Sequence, residues 1–160
     1  MSDTGEEKRY TVDESHRRFA ADLFNLTWDL LDKEDRSARE DERMVHAAHA
    51  SRFHWGEIGE PVNLAVGEWQ IARVHSTLGQ PRAALRHAMR SLEIIEENGI
   101  SGFHRASAYE GVARAHSAAG DSWEAKRYIL LARQEGEKIT DDEEMEVLLA
   151  QLNEIPESEE

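Results

Sequence analysis

The stretch IARVHSTLGQPRAA, residues 71–84, returns 41 positions later as VARAHSAAGDSWEA, residues 112–125. Ala72 falls on Ala113, Arg73 on Arg114, His75 on His116, Gly79 on Gly120 and Ala84 on Ala125. Self-similarity at a fixed period marks a chain built from stacked copies of one supersecondary unit. Small residues recur where two helices cross closely, and glycine recurs where the chain reverses through a left-handed conformation. The same step links Ala65 to Ala106 and, backward, Trp69 to Trp28 and Ala88 to Ala47. A pair of helices with two turns needs about this length.

Outward from this stretch, apolar residues keep the helical spacing. Leu64, Ile71, His75 and Leu78 make one stripe, and Ala84, Leu85, Ala88, Leu92 and Ile95 make another. No stretch alternates with period two over a useful length, so an all-α chain without a sheet is predicted. The pattern predicts helices over 12–35, 38–57, 61–78, 81–98, 103–119, 121–139 and 141–153. Pro61, Pro81 and Pro156 stand where a helix should begin or end, and none interrupts a periodic stretch. Gly79, Gly99 and Gly120 stand just past helix ends, while Asp121 and Asp141 are placed to cap the helices that follow. Short connections make neighbouring helices antiparallel. Residues 1–11 and 154–160 are acidic and poor in apolar side chains, and are predicted as disordered tails around one domain, 12–153.

Ile71-Ala72, His75, Gly79, Ala84-Leu85, Ala88 and Leu92 together resemble a tetratricopeptide repeat (TPR). So do Tyr109, Val112-Ala113, His116, Gly120-Asp121, Ala125, Ile129 and Ala132. His75 and His116 stand where that family usually has an aromatic residue, and the period of 41 resembles its longer-helix variants. A first repeat over about 20–61 matches weakly, with Ala38 in place of the turn glycine and Arg43 in place of an alanine. The resemblance implies a right-handed α-solenoid of about three antiparallel helix pairs. Met145, Leu148, Leu149 and Leu152 then belong to a C-terminal capping helix that seals the exposed end.

The first helix of each pair in such a solenoid lines a concave groove that holds peptides or partner helices. The resemblance assigns to that groove Asn25, Trp28 and Asp32 from the first pair. It adds Val66, Trp69, Gln70 and Arg73 from the second, and Ser107, Glu110 and Arg114 from the third. Trp and Arg are the side chains that most often anchor interfaces. The implied function is a protein- or peptide-binding adaptor or regulatory module. Trp28 and Trp69 would be its apolar anchors, with Arg73 and Arg114 holding an acidic or terminal group unless Asp32 or Glu110 claims them.

Composition narrows the alternatives. The 160 residues carry 19 Lys and Arg against 33 Asp and Glu, a net charge of −14, which argues against nucleic-acid and anionic-membrane partners. There are no cysteines, so disulfides, thiolate metal sites and cysteine nucleophiles are excluded. Without an apolar run of membrane-spanning length or a leader-like segment, a cytoplasmic address is expected. Serines 51, 76 and 117 lie in no strand-turn-helix elbow, and no phosphate loop is present, so neither an enzyme nor a cofactor is expected. His46, His49 and His54 on the second predicted helix, with Glu42 nearby, form the alternative: a metal or small-molecule site. No dedicated zinc motif accompanies them. His75 and His116 are expected to pack between helices. The end faces of three repeats also suit self-association as a homodimer.

Overall fold

A computed structural model of the chain describes residues 7–156. Among these residues it contains seven α-helices and no strand: α1 (Val12–Leu31), α2 (Ala38–Ile58), α3 (Pro61–Thr77), α4 (Pro81–Glu97), α5 (Phe103–Ala118), α6 (Ser122–Gly136) and α7 (Asp142–Asn153). Each expected helix is present, but α1 and α6 are shorter than predicted. Past Leu31, Arg36 Nη1 donates to the carbonyls of Leu30, Leu31 and Lys33, at 3.2, 3.4 and 2.7 Å. Its guanidinium satisfies acceptors that a helix end leaves open, so the chain can turn there without a glycine. Ser37 and Glu40 then start α2 with a reciprocal capping box.

Other boundaries follow the residues that announced them. Pro61 and Pro81 occupy first-turn positions, and the side chains of Asp121 and Asp141 accept from the backbone N–H groups of Glu124 and Glu144. Gly79 and Gly120 take φ of 67° and 77°, and each is followed by a backbone bond closing back over the helix end. Gln80 N–H donates to the His75 carbonyl, and Asp121 N–H to the His116 carbonyl, both at 2.9 Å. The turn therefore sets residue 80 against His75 and residue 121 against His116.

The strongest packing joins α1 to α2, α3 to α4 and α5 to α6, with α2–α3 and α4–α5 next. Among the described residues α3 touches both α1 and α5, whereas no Cα of α2 lies within 8 Å of α4, nor of α4 within 8 Å of α6. The odd-numbered helices thus form the closer layer of the stack, and α7 lies on α5 and α6. Buried small residues fill the crossings: Ala65, Ala72, Ala84, Ala88 and Ala108 sit beneath Leu92, Ile95 and Val112. Leu148 and Leu152 of α7 close the far end over Ala106, Ala113 and Ala132.

Two expectations change. In the first pair, Ser51 Oγ donates to the Ala20 carbonyl, as Ser91 Oγ does to the Ala65 carbonyl in the second, at 2.7 and 2.8 Å. Ser91 follows Ser51 by 40 residues, while Ala65 follows Ala20 by 45. The longer α1–α2 connection absorbs the difference, and Trp28 matches Arg73, one helical turn beyond Trp69. The predicted tails also shrink. Thr11 caps α1 in a box with Glu14, Ile155 is buried in the α5–α7 core, and the Pro156 carbonyl accepts from Ser117 Oγ at 3.0 Å. The remaining tail predictions for 1–6 and 157–160 lie outside the described residues.

Candidate functional site

The odd-helix layer collects most of the side chains assigned to the groove. Trp28 and Trp69 meet with ring centroids 5.7 Å apart, and the Arg73 guanidinium stands 5.3 Å from the Trp28 ring. Trp69 is buried, and its indole N–H donates to Glu110 Oε2 at 2.9 Å. The other Glu110 oxygen accepts from Arg114 Nε at 2.8 Å, and Glu110 is fully buried. A Cβ at Gly111 would lie 2.7 Å from Trp69 Cδ1, so only glycine admits the indole this close to α5. Gln70 is also buried and donates from Nε2 to the Phe24 carbonyl at 3.0 Å, pinning α1 to α3. Asn25 and Asp32 are exposed on α1 and at its C-cap.

Trp69, Gln70 and Glu110 therefore hold helices to one another instead of standing open in a groove. The arginines are engaged as well. Arg114 pairs with Glu110 and donates to the Gln151 carbonyl at 2.9 Å, and Arg73 Nη2 meets Glu154 Oε2 at 2.6 Å. Arg73 does not take Asp32 as its partner; the end of α7 supplies the carboxylate. Nothing in the spacing of Glu154 announced that contact.

Beside the paired arginines the layer opens into a cavity of about 200 Å³. Its walls include Phe24, Trp28, Val66, Trp69, Ser107 and Gln151. A second depression, sharing Phe24, Val66 and His104, adds Asn25 and Trp55. The walls are mainly apolar, yet Ser107 Oγ and Gln151 Oε1 are buried without a hydrogen-bond partner in the protein. Unpaired buried polar atoms are costly, so each wants a partner from outside. Val66 and Ser107 were foreseen for this face; Phe24, His104 and Gln151 were not. Phe24 was one turn out of register, and Gln151 belonged to the supposed cap.

The histidines of α2 do not converge on one another. His46 is exposed beside Glu42, 3.9 Å away, and His54 Nδ1 faces His16 Nδ1 of α1 at 2.8 Å. His49 turns the other way, toward His75 of α3 and His87 of α4. Positions 49 and 54 lie on faces too far apart around a helix, so they address different neighbours. Partial burial, reinforced by His87 and His75, lowers the pKa of His49, and burial lowers that of His75 against the hydrogen bond it donates to Gln80 Oε1.

No protein-family model, curated protein or solved structure matches the chain. Among the described residues no helix is long and apolar enough to cross a membrane.

Proposed function

We propose that the chain is a tetratricopeptide-like right-handed solenoid acting as a binding module for a protein segment, not as an enzyme. The segment docks on the odd-helix layer. The observation that carries this reading is the apolar cavity lined by Phe24, Trp28, Val66 and Trp69, with the unpartnered Ser107 Oγ and Gln151 Oε1 in its wall. Such a site suits an apolar side chain flanked by peptide groups: the side chain fills the cavity, and a backbone N–H of the segment donates to Gln151 Oε1. The 41-residue repeat, the antiparallel pairs and the closer odd layer support the family reading. Compared with the groove expected from sequence, Trp28 stays an apolar anchor and Phe24 and Val66 join it, while the indole N–H of Trp69 and both arginines are engaged within the protein. An acidic partner has to compete with Glu154 for Arg73.

Peptides selected from a random display library on the folded protein test this. V66E places a charge in the cavity wall and should weaken the selected peptides at least about tenfold, or roughly 1.4 kcal/mol, with melting preserved. Equal affinity for a folded V66E protein would remove the cavity from consideration as the docking site.

A further inference from the structure

His49, His75 and His87 come from three successive helices, and each offers one ring nitrogen within 4.8 Å of the others. His49 Nε2 and His75 Nε2 are 3.5 Å apart. Metal–nitrogen bonds of about 2.0–2.1 Å put neighbouring ligands of a tetrahedral ion about 3.4 Å apart. His49 Nε2 and His75 Nε2 already have that spacing. The other separations, none above 4.8 Å, must close by at most about 1.4 Å.

The far sides of two rings are already held. His75 Nδ1 lies 2.7 Å from Gln80 Oε1, and His87 Nδ1 lies 2.7 Å from Glu68 Oε2. Both oxygens are acceptors, so Nδ1 carries the hydrogen in each ring and Nε2 presents its lone pair. Glu68 is itself fixed by Arg52 Nε at 3.0 Å. A carboxylate or carbonyl behind a ligating imidazole is the usual outer support of a metal site, setting tautomer and ring orientation. His87 Nε2, moreover, is buried and has no hydrogen-bond partner. A buried lone pair on a ring packed against two other imidazoles, with nothing to accept from, is what packing alone would avoid.

We propose that His49, His75 and His87 form a three-histidine site for a divalent transition-metal ion of the zinc class. Three neutral nitrogens suit zinc, nickel or copper and give little to calcium or magnesium, which prefer oxygen. Because His49 is exposed, the fourth position faces solvent, open to water or to a ligand carboxylate. The ion would bridge α2, α3 and α4 by side chains where the backbones of α2 and α4 do not approach, tying the first helix pair to the second.

Calorimetric titration of the tag-free, chelator-treated full chain with zinc chloride tests the site, with cobalt(II) absorption as a second readout of coordination. The expected result is one equivalent bound, with magnesium giving no competition. H49A removes an exposed ligand and H87Y a supported one, and each should weaken zinc at least about a hundredfold. E68Q should weaken it roughly tenfold through the loss of outer support. H54A, aimed at the separate His16–His54 pair, should leave zinc affinity unchanged. The proposal is overturned if the wild-type chain binds no zinc, or if H49A, which removes an exposed side chain, leaves affinity intact. A loss in H54A without one in H49A overturns it equally, by moving the metal elsewhere. None of these results depends on peptide binding at the odd-helix cavity.

Discussion

The second and third helix pairs carry the same device with different consequences. His75 and His87 stack with planes 10° apart and centroids at 5.7 Å; 41 residues on, His116 and Tyr128 stack at 14° and 5.8 Å. Gln80 sits 2.7 Å from His75 Nδ1, and Asp121, its counterpart, 3.6 Å from His116 Nδ1. The glycine turn that positions residues 80 and 121 builds both. Yet among the described residues only the first stack belongs to a group of three metal-capable side chains, because α2 adds His49. A repeat thus copies its packing, while the chemistry depends on what the preceding pair contributes. The arginines teach the same lesson. Arg73 and Arg114 occupy matching positions, but Arg73 meets the exposed Glu154, whereas Arg114 meets the fully buried Glu110.

That last difference gives the largest expected effect. R114A removes the cation from a buried carboxylate and should cost about 3–5 kcal/mol, since the remaining charge loses its main compensation. R73A loses a pair whose carboxylate stands in solvent, together with its contact on the Trp28 ring, and should cost less, about 1–2 kcal/mol. Thermal or urea melts decide it. Equal losses would mean that the two positions are energetically equivalent after all.

Overpacking comes next. Ala84 is fully buried in the core of α3–α5, so A84L should destabilise by about 1–3 kcal/mol. Its counterpart Ala125 borders a depression of about 270 Å³ beside Ile129 and Pro156, which can take part of a larger side chain. A125L should therefore cost less than A84L. A melting experiment that finds A125L the worse of the two would place the tight crossing in the third pair.

Much of this fold is visible in the residues themselves. Helical spacing, the prolines, the aspartate caps and the glycines at 79 and 120 each act through local backbone chemistry, so sequence alone carries them. The candidate sites are less visible, for a geometric reason. His75 reads in the sequence as a residue packed between helices, and nothing local to it says that His49 will arrive, 26 residues away. Which face of α2 meets α3 depends on the α1–α2 connection, whose length breaks the 41-residue register. Likewise Trp28 and Trp69 coincide in sequence, but the structure sets Trp28 against Arg73, and the cavity they line is completed by Phe24 and Val66. Gln151 and Glu154 reach the odd layer by tertiary packing of α7, which no periodicity encodes.

The smallest expected effect tests the comparison itself. Y128H rebuilds at the third pair the imidazole stack of the second, with His116 as the fixed partner and Asp121 behind it. Tyr128 is half-buried on α6, so trading its phenol for an imidazole should change stability by only about 1 kcal/mol. If the third imidazole from the preceding pair is what makes a metal site, Y128H should still bind a single equivalent of zinc, at His49, His75 and His87. In an H87Y background it should not restore zinc affinity, because two stacked imidazoles supply too few ligands to hold the ion. Calorimetry on the single and double variants reads this directly. A second equivalent in Y128H, or recovery in the double variant, would show that the stack alone suffices and that His49 is dispensable.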